Sequence, residues 1–471
     1  MLAQQVHEPH ADFFAKNCLR SGKCARSVKK IRMGPAIGHN DRYGRGFSGR
    51  CAPVSTVLTR GITLRQLPVR LFAGGAALTA AVAAGAIFMP LQPASASRVE
   101  ATCANTADDA KTLQAAIDSS KEGDEVVFKG PCLINATISL PDMRTYRGDS
   151  KAGTVLKQAD GANLPAVLAS EGWLKNTDNS GETIRVEKLT IDGNRDNNTG
   201  TVGLLLRSWN TRVYDLDIYS TPSDGIRISN PSQNGTLLRN TMVNSIISDV
   251  YIEAAAEAGL RVIDPGNSVT DWTFQRSWIG FSGTHAIQSD NAAGWTFSDL
   301  HLYATPKNAI DAHRCFGTSI HNNYIEDFGA ESTADQTYYG IRCDLQGEAN
   351  TTITANRIHK FLPPPNALAE LRKARQQGSA PPERKTAATG PLPENVNFVY
   401  LALDAVNYGK GHAAISGNTI LGHGTKRETG LLLDKGDGDG EAMRVTSTGN
   451  LIDDIGVPRK IGKGVRVTRG Y

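Results

Sequence analysis

The sequence predicts an all-β protein whose short strands stack into a parallel β-helix, a solenoid in which each coil lies on the one before. The first observation is a column of aliphatic residues that recurs every 23 to 34 residues, with one longer interval of 62, as in a solenoid repeat. Its nine members are Ile191, Ile218, Ile252, Ile279, Leu302, Ile325, Ile358, Ile420 and Ile452. The second observation is a small residue seven places after this column, where two strands need a tight corner. Four consecutive coils have it, as Gly225, Gly259, Ala286 and Ala309.

The third observation is the alternation of aliphatic and polar residues in three segments, which is the periodicity of a β-strand. The segments are His285–Asp290, Asn308–His313 and Tyr339–Asp344. Stacked as neighbouring strands, they lie about 4.8 Å apart and their outward side chains form two columns. One column contains Gln288, Asp311 and Arg342, and the other contains Asp290, His313 and Asp344.

A helix is predicted before the first coils. Residues 106–121 place Leu113, Ala116 and Ile117 on one helical face behind a polar start. The segment 125–134 then has the pattern of strand, turn and strand.

These features resemble the opening of the pectate-lyase-like superfamily. The resemblance is carried by the helix, the Val126-Val127-Phe128 strand, the Gly130-Pro131 turn and the segment at 145–148. It implies a right-handed parallel β-helix from about residue 100 to the end, with the helix capping the first coil, in an exported protein that acts on polysaccharide. It does not imply which bond is cleaved. The Asn-Thr-Asp, Asp-Asp, Gly-His-Gly and Arg-Ile-Lys motifs of polygalacturonases are absent in the expected order, as is the Trp-Ile-Asp-His motif of pectate lyases.

The N-terminal part has a different composition from the rest. Residues 1–70 hold 13 Lys and Arg against 3 Asp and Glu, so they contribute +10 to a formal net charge of +4 and leave −6 for the remainder. The basic balance therefore gives no argument for nucleic-acid binding by the folded part. We expect residues 1–70 to be a disordered extension or the result of a start site assigned too early.

Residues 71–97 are predicted to be a signal peptide. An apolar, uncharged run follows Arg65 and Arg70 and precedes the small residues Ala94-Ser95-Ala96, which is the pattern of a secretory signal. A single membrane anchor is the alternative. We expect a secreted or periplasmic protein, with residues 98–471 as the β-helix domain and no stable membrane insertion after cleavage.

Cysteine usage agrees with export. The β-helix domain contains Cys103, Cys132, Cys315 and Cys343, which permits two disulfides in an exported chain. Cys103 and Cys132 flank the predicted helix and are the expected pair. Cys315 and Cys343 lie on neighbouring coils at different register positions, so a second bridge is left open. No cysteine spacing indicates a structural zinc site.

The last coils contain two further signals. Asparagine lies two places before the aliphatic column at Asn323, Asn356, Asn418 and Asn450, which predicts a ladder of hydrogen-bonded amides inside the solenoid. The interval of 62 residues must contain an insertion, which we assign to the Pro-, Ala-, Lys- and Arg-rich residues 361–398. It is either a lid or rim element of the binding face or a surface loop without a role.

Charged residues of the two outward columns are the candidate functional residues. The first column runs through Arg227, Arg261, Gln288, Asp311 and Arg342 towards Arg466, and the second through Asp290, His313, Asp344 and Asp404. Stacked like charges repel, so the aspartates need a counter-charge, a proton or a function. We predict five catalytic residues: Asp311, His313, Asp290, Asp344 and Arg342. We predict six substrate-binding residues: Arg227, Arg261, Gln288, His285, Tyr339 and Asp404.

Three kinds of chemistry fit these residues. A lyase would use His313 as the base and arginine to stabilise the enolate-like transition state, and the arginines favour an acidic polysaccharide. A glycoside hydrolase would divide its acid and base roles between two aspartates. Several oxygen ligands could hold Ca²⁺, with or without catalysis. A non-catalytic carbohydrate-binding or adhesion solenoid is a further alternative, as is a polar face that only solubilises the fold. We give elimination a slight preference.

Overall fold

The computed structural model describes residues 96–347, 349–360, 396–405, 411–435 and 443–469. The basic extension at 1–70, nearly all of the signal peptide at 71–97 and most of the inserted loop at 361–398 lie outside these ranges and stay predictions. Within the described ranges, no helix is both long and apolar enough to cross a membrane.

Thirty-three parallel-paired strands make up the described part of the chain, and their pairings divide them into three stacks. The first stack contains β1 (Arg98–Thr102), β2 (Glu125–Lys129), β5 (Arg144–Gly148), β8 (Ile184–Asp192), β10 (Arg212–Tyr219), β12 (Ser245–Ser248), β15 (Trp272–Gln275), β18 (Thr296–Ser298), β21 (Ser319–His321), β24 (Asn350–Thr354), β27 (His412–Ser416), β30 (Met443–Thr448) and β33 (Val465–Arg469). The second contains β3 (Cys132–Ile134), β6 (Val155–Gln158), β13 (Tyr251–Glu253), β16 (Trp278–Gly280), β19 (His301–Thr305), β22 (Tyr324–Phe328), β25 (Arg357–His359), β28 (Thr419–Leu421) and β31 (Leu451–Asp453). The long strands β8 and β10 run through both stacks and join them into one sheet.

The third stack is a separate eleven-stranded sheet within the described residues. It contains β4 (Ile138–Leu140), β7 (Ala166–Ser170), β9 (Val202–Leu206), β11 (Ile226–Ser229), β14 (Leu260–Ile263), β17 (Ile287–Ser289), β20 (Ile310–Cys315), β23 (Tyr338–Leu345), β26 (Phe398–Ala405), β29 (Glu428–Leu433) and β32 (Val457–Ile461). Each middle coil contributes one strand to each stack, as β15, β16 and β17 do, so the solenoid has three faces around one apolar core.

The helix α1 (Asp109–Ser119) packs on strands β1 to β4, as the predicted capping helix should. Its buried face contains Leu113 and Ile117. The helix starts later than the sequence pattern indicates because the Asp109 carboxylate accepts hydrogen bonds from the backbone N–H groups of Thr106 and Leu133, which fixes the preceding turn. The other two described helices are short: α2 (Glu171–Leu174) and a 3₁₀ turn (Arg195–Asn197).

The predicted register is confirmed over most of the solenoid. The nine aliphatic residues of the inward column form eight successive pairs, each member with the next. The corner residues stack as well, and a Cβ on Gly225 would lie 2.7 Å from the carbonyl oxygen of Gly259. The prediction is wrong at the last coil, where Leu432 pairs with Lys460 rather than with Arg466.

The asparagine ladder is confirmed. The Nδ2 atom of Asn323 donates to Oδ1 of Asn356 at 2.9 Å, and Asn356 donates to Asn418 at 2.9 Å. Asn418 donates in turn to Asn450 at 2.8 Å. The first three side chains are fully buried, so the ladder satisfies polar groups that would otherwise destabilise the core.

The tryptophans divide between the core and the surface. Trp272 and Trp295 are fully buried and their rings stack at 5.7 Å, so neither can stack on a sugar. Trp278 is 50% exposed on the second stack, away from the eleven-stranded sheet.

Two disulfides are present. Cys103–Cys132 is confirmed as the predicted pair beside α1. The second bridge, which the sequence left open, joins Cys315 in β20 to Cys343 in β23, with a Cα–Cα distance of 5.9 Å.

Candidate active site

The predicted catalytic residues lie on the outer face of the eleven-stranded sheet, on β20 and β23 and beside β17. Strand pairing aligns Gln288 with Asp311 and Asp311 with Arg342. On the next strand pair, Asp344 aligns with Asp404. The column of Gln288, Asp311 and Arg342 is therefore present, and the second column is aligned at Asp344 and Asp404. Strand stacking brings these side chains together from segments far apart in the chain.

His313 lies between two carboxylates. Its Nδ1 atom is 2.6 Å from Oδ2 of Asp344, and its Nε2 atom is 3.5 Å from Oδ2 of Asp311. The two aspartates thus contact opposite ring nitrogens, an arrangement that favours the imidazolium with both nitrogens protonated.

A β-bulge places His313 there. Ala312 pairs with Cys343 and Cys315 pairs with Leu345, so His313 and Arg314 together lie opposite Asp344. Arg314 has a φ of 58°, in the left-handed region. This bulge has one signal in the sequence, the cysteine pair that closes across it, and the alternating pattern alone does not predict it.

Arg342 is the second cation of the group. Its Nε atom is 3.3 Å from Oδ1 of Asp344 and 3.7 Å from Oδ2 of Asp404, and its Nη1 atom is 4.0 Å from Oδ1 of Asp311. The guanidinium also lies over the ring of Tyr339, 5.8 Å from the ring centroid. One arginine therefore contacts three aspartates.

Cations and carboxylates of the site differ in exposure. The side chains of Asp311 and Asp344 are only 9% and 7% exposed, whereas those of His313 and Arg342 are 36% and 31% exposed. A ligand that approaches this face therefore meets the two cations first.

The contacts between His313 and the two aspartates raise the pKa of His313 and lower that of Asp311. The hydrogen bond that His313 donates to Asp311, followed by the one it donates to Asp344, raises the pKa of His313 to about 10. Burial opposes the ionisation of Asp311, but the hydrogen bond and charge of His313 outweigh it and hold the pKa of Asp311 below its ordinary value. At neutral pH the site therefore contains an imidazolium and an ionised Asp311.

This protonation predicts how stability depends on pH. A histidine whose pKa is raised by folding stabilises the protein fully below its unfolded pKa, near 6.5, and loses that contribution as pH rises to the folded value of about 10. We expect the melting temperature of wild type to exceed that of His313→Gln at pH 6 to 7, and the difference to shrink steadily towards pH 10. Thermal unfolding followed by circular dichroism at each pH measures it. A constant difference across this range would contradict the assignment.

His285 and Tyr339 flank the cluster, as predicted. The Nε2 atom of His285 is 3.7 Å from Oδ2 of Asp311, and burial lowers the pKa of His285 to about 4, so its ring is neutral. Burial raises the pKa of Tyr339, which is therefore a phenol at neutral pH. Gln288 is half-buried on the strand before Asp311.

Asp290 and Asp404 lie at the edge of the cluster. Asp290 is exposed just after β17 and has no ion pair with another described residue. Asp404 contacts Arg342, but burial, together with the charge of Asp344, raises the pKa of Asp404.

Arg227 and Arg261 are on the predicted column but not in the cluster. Arg227 is held at 2.6 Å by the buried carboxylate of Asp224, and Arg261 is held at 2.9 Å by Glu257. Each arginine is thus paired with an acidic residue of the preceding turn, and they remain candidates for more distant substrate contacts.

The residues present do not fit a Ca²⁺ ion. Calcium takes six to eight oxygen ligands, whereas the carboxylates of Asp311 and Asp344 already face His313 and Arg342. Over the described ranges, no group of three or more His, Cys, Asp or Glu side chains is arranged to hold a metal.

Comparisons with known proteins found likeness in structure only. No protein-family model and no curated protein sequence matches the chain. The A-module of mannuronan C-5 epimerase AlgE4 from Azotobacter vinelandii is 16% identical, with a TM-score of 0.51, over 78% of this chain and 97% of that module. The A-module of AlgE6 from the same organism is 15% identical, with a TM-score of 0.46, over 78% and 97%. Alginate lyase from Paenibacillus sp. strain FPU-7 is 17% identical, with a TM-score of 0.36, over 80% and 98%.

At these identities the likeness concerns the fold. The AlgE4 A-module matches along nearly its whole length, and the strands of this chain pair in parallel throughout. The chain therefore has the right-handed parallel β-helix fold, with an N-terminal capping helix, that its resemblance to the pectate-lyase-like superfamily implied.

Proposed function

We propose that the protein is an enzyme that acts on a polysaccharide containing uronic acids and removes the proton next to the sugar carboxylate. The observation that carries this proposal is the order of charge in the site, where half-exposed His313 and Arg342 cover buried Asp311 and Asp344. An anionic sugar is attracted to this surface, while the buried aspartates keep the cations in place.

Arg342 is the group that neutralises the uronate. Removal of the neighbouring proton places extra negative charge on the sugar carboxylate, so a guanidinium that contacts it binds the transition state more tightly than the substrate. Asp344 and Asp404 contact Nε of the guanidinium, and the side chain is 31% exposed, so a ligand can reach it.

Asp311 is the proton acceptor and His313 is the proton donor in this proposal. The carboxylate of Asp311 is ionised, and its Oδ1 atom is buried without a hydrogen-bond partner, so substrate binding must expose the carboxylate before it can accept the proton. His313 carries a proton at neutral pH because two carboxylates contact its ring. This revises the sequence-based role of His313 as the base, since a resting base must be unprotonated.

Elimination completes the reaction. Asp311 takes the proton from C5, the electron pair forms a double bond between C4 and C5, and the glycosidic oxygen leaves C4 with the proton of His313. Return of a proton to C5 from the other side would instead give epimerisation, the activity in the name of the AlgE4 module. Both outcomes share the first step, and we favour elimination because His313 supplies a proton for the leaving oxygen.

The test is incubation with polymannuronate, polyguluronate and polygalacturonate in D₂O. Elimination gives the ultraviolet absorbance of an unsaturated uronate and new reducing ends. Deuterium at C5 without that absorbance indicates epimerisation and retains the proposed first step. Reducing ends without absorbance or deuterium, or binding without any product, would overturn the proposal.

Hydrolysis is the second candidate because two aspartates of the site have pKa values that move apart. The pKa of Asp404 is raised and that of Asp311 is lowered, as expected of an acid and a base. The strands that carry them are two strand spacings apart, about 10 Å, with Arg342 between. An acid and a base on separate strands fit the divided roles of a glycoside hydrolase.

We also infer that the protein is secreted or periplasmic. Two disulfides in the described part of the chain support this, because disulfides persist in oxidising compartments. A polysaccharide is the expected partner in either location.

A further inference from the structure

We propose that the Cys315–Cys343 disulfide is a positioning device that holds His313 in contact with Asp344. Its effect on turnover rests on the proposed function, whereas its effect on His313 does not. The bridge joins the two strands that carry the cluster, and both sulfur atoms point into the core, beneath the outward-facing His313 and Asp344.

The bulge is the feature that requires such a device. Two residues of β20, His313 and Arg314, lie opposite the single residue Asp344 of β23. Without the extra residue, β20 and β23 would pair regularly. Arg314 would then face the core, and His313 would shift along the strand relative to Asp344. The disulfide keeps the side chain of Cys315 in the core. The extra residue therefore stays between Ala312 and Cys315, and the bulge is retained.

Arg314 makes the bulge unfavourable without the bridge. Its φ of 58° is a left-handed conformation that strains any residue with a Cβ. A glycine would adopt it without this penalty. The covalent link opposes relaxation of this strain.

The bridge also fixes the partner residues of His313. Cys343 lies between Arg342 and Asp344 in sequence, so the same link anchors the backbone of both. On the other side, the carbonyl of Cys315 accepts hydrogen bonds from Gln346 N–H and the Thr351 hydroxyl. These hydrogen bonds hold Cys315, the residue that follows the bulge, against the end of β23 and against β24.

The chain provides a matched control. Cys103–Cys132 and Cys315–Cys343 close segments of almost equal length, with sequence separations of 29 and 28. Chain-entropy loss on removing either bridge is therefore nearly the same. The control bridge lies beside α1, on coils remote in sequence from the site.

The experiment compares C315A/C343A with C103A/C132A in the full protein. Both should lose a similar amount of thermal stability. C315A/C343A should lower kcat on the polyuronate substrate by about 10- to 100-fold, as expected for misplaced catalytic groups, and lower the pKa of His313 measured by NMR. C103A/C132A should change neither kcat nor that pKa.

Adding Arg314→Gly to C315A/C343A should restore part of kcat and of the His313 pKa, because glycine supports the bulge without the bridge. If C315A/C343A does not fold, C315V/C343A, in which valine fills more of the volume of the lost sulfur atoms, is compared with C103V/C132A in the same way. A His313 pKa equal in both double variants would overturn the proposal. Absence of turnover on every polyuronate in wild type and variants, with a His313 pKa shift found only in C315A/C343A, would instead reject the proposed function and retain the positioning role.

Discussion

Asp311→Asn should lower kcat on the polyuronate substrate by about 100- to 10,000-fold, the usual range for loss of a general base. The substitution removes the ionised oxygen that accepts the proton. It also removes the carboxylate that contacts His313, His285 and Arg342. The pKa of His313 should fall, because the larger of its two stabilising contacts is lost.

Turnover is measured as the initial rate of unsaturated product, and the His313 pKa by NMR titration. Asp249→Asn is the matched control, since Asp249 forms an exposed ion pair with Arg276 outside the eleven-stranded sheet. This variant should keep the wild-type rate. Circular dichroism should report folded protein for both variants, and an active, folded Asp311→Asn would refute the site.

Asn356→Ala should give the largest loss of stability, about 3–5 kcal/mol in the free energy of unfolding. The Oδ1 atom of Asn356 accepts bonds from the backbone N–H and the side chain of Asn323, and its Nδ2 atom donates to Asn418 and to the carbonyl of Ile320. Alanine makes none of these bonds, and the surrounding groups stay buried without partners.

Denaturant unfolding measures this loss, with Asn350→Ala as the control. Asn350 is exposed at the start of β24, so its substitution should change stability by less than about 0.5 kcal/mol. Equal losses in the two variants would mean that the ladder contributes little. A kcat of Asn356→Ala that stays near wild type at low temperature would separate this effect from the chemistry of the site.

The sequence was sufficient for most of the fold because a solenoid core restricts inward positions. Residues such as Ile252 and Ile279 must be aliphatic whatever the length of the turn between them, so the column can be followed through variable turns. The register of the last coil differs from the one that the sequence pattern predicts. There Pro458 lies opposite Gly430 at the corner, and a small residue is not needed because no described strand of the sheet lies beyond β32.

The site was predictable in position but not in detail. Alternation was enough to bring Asp311, His313 and Arg342 to one face, since strand stacking determines which side chains are neighbours. Local contacts were not predictable. Arg227 forms an ion pair with Asp224 in the preceding turn. The left-handed backbone conformation of Arg314 cannot be predicted from a pattern of apolar and polar residues.

The position of the site along the solenoid has a consequence for partial unfolding. Strands pair only with those of the coils directly above and below, so the terminal coils are held from one side and should fray first. β31 to β33, with few buried residues, are the weakest example. The coils that carry Asp311 and Arg342 have neighbours on both sides, and heating should therefore unfold the terminal coils while the coils that carry this cluster stay folded.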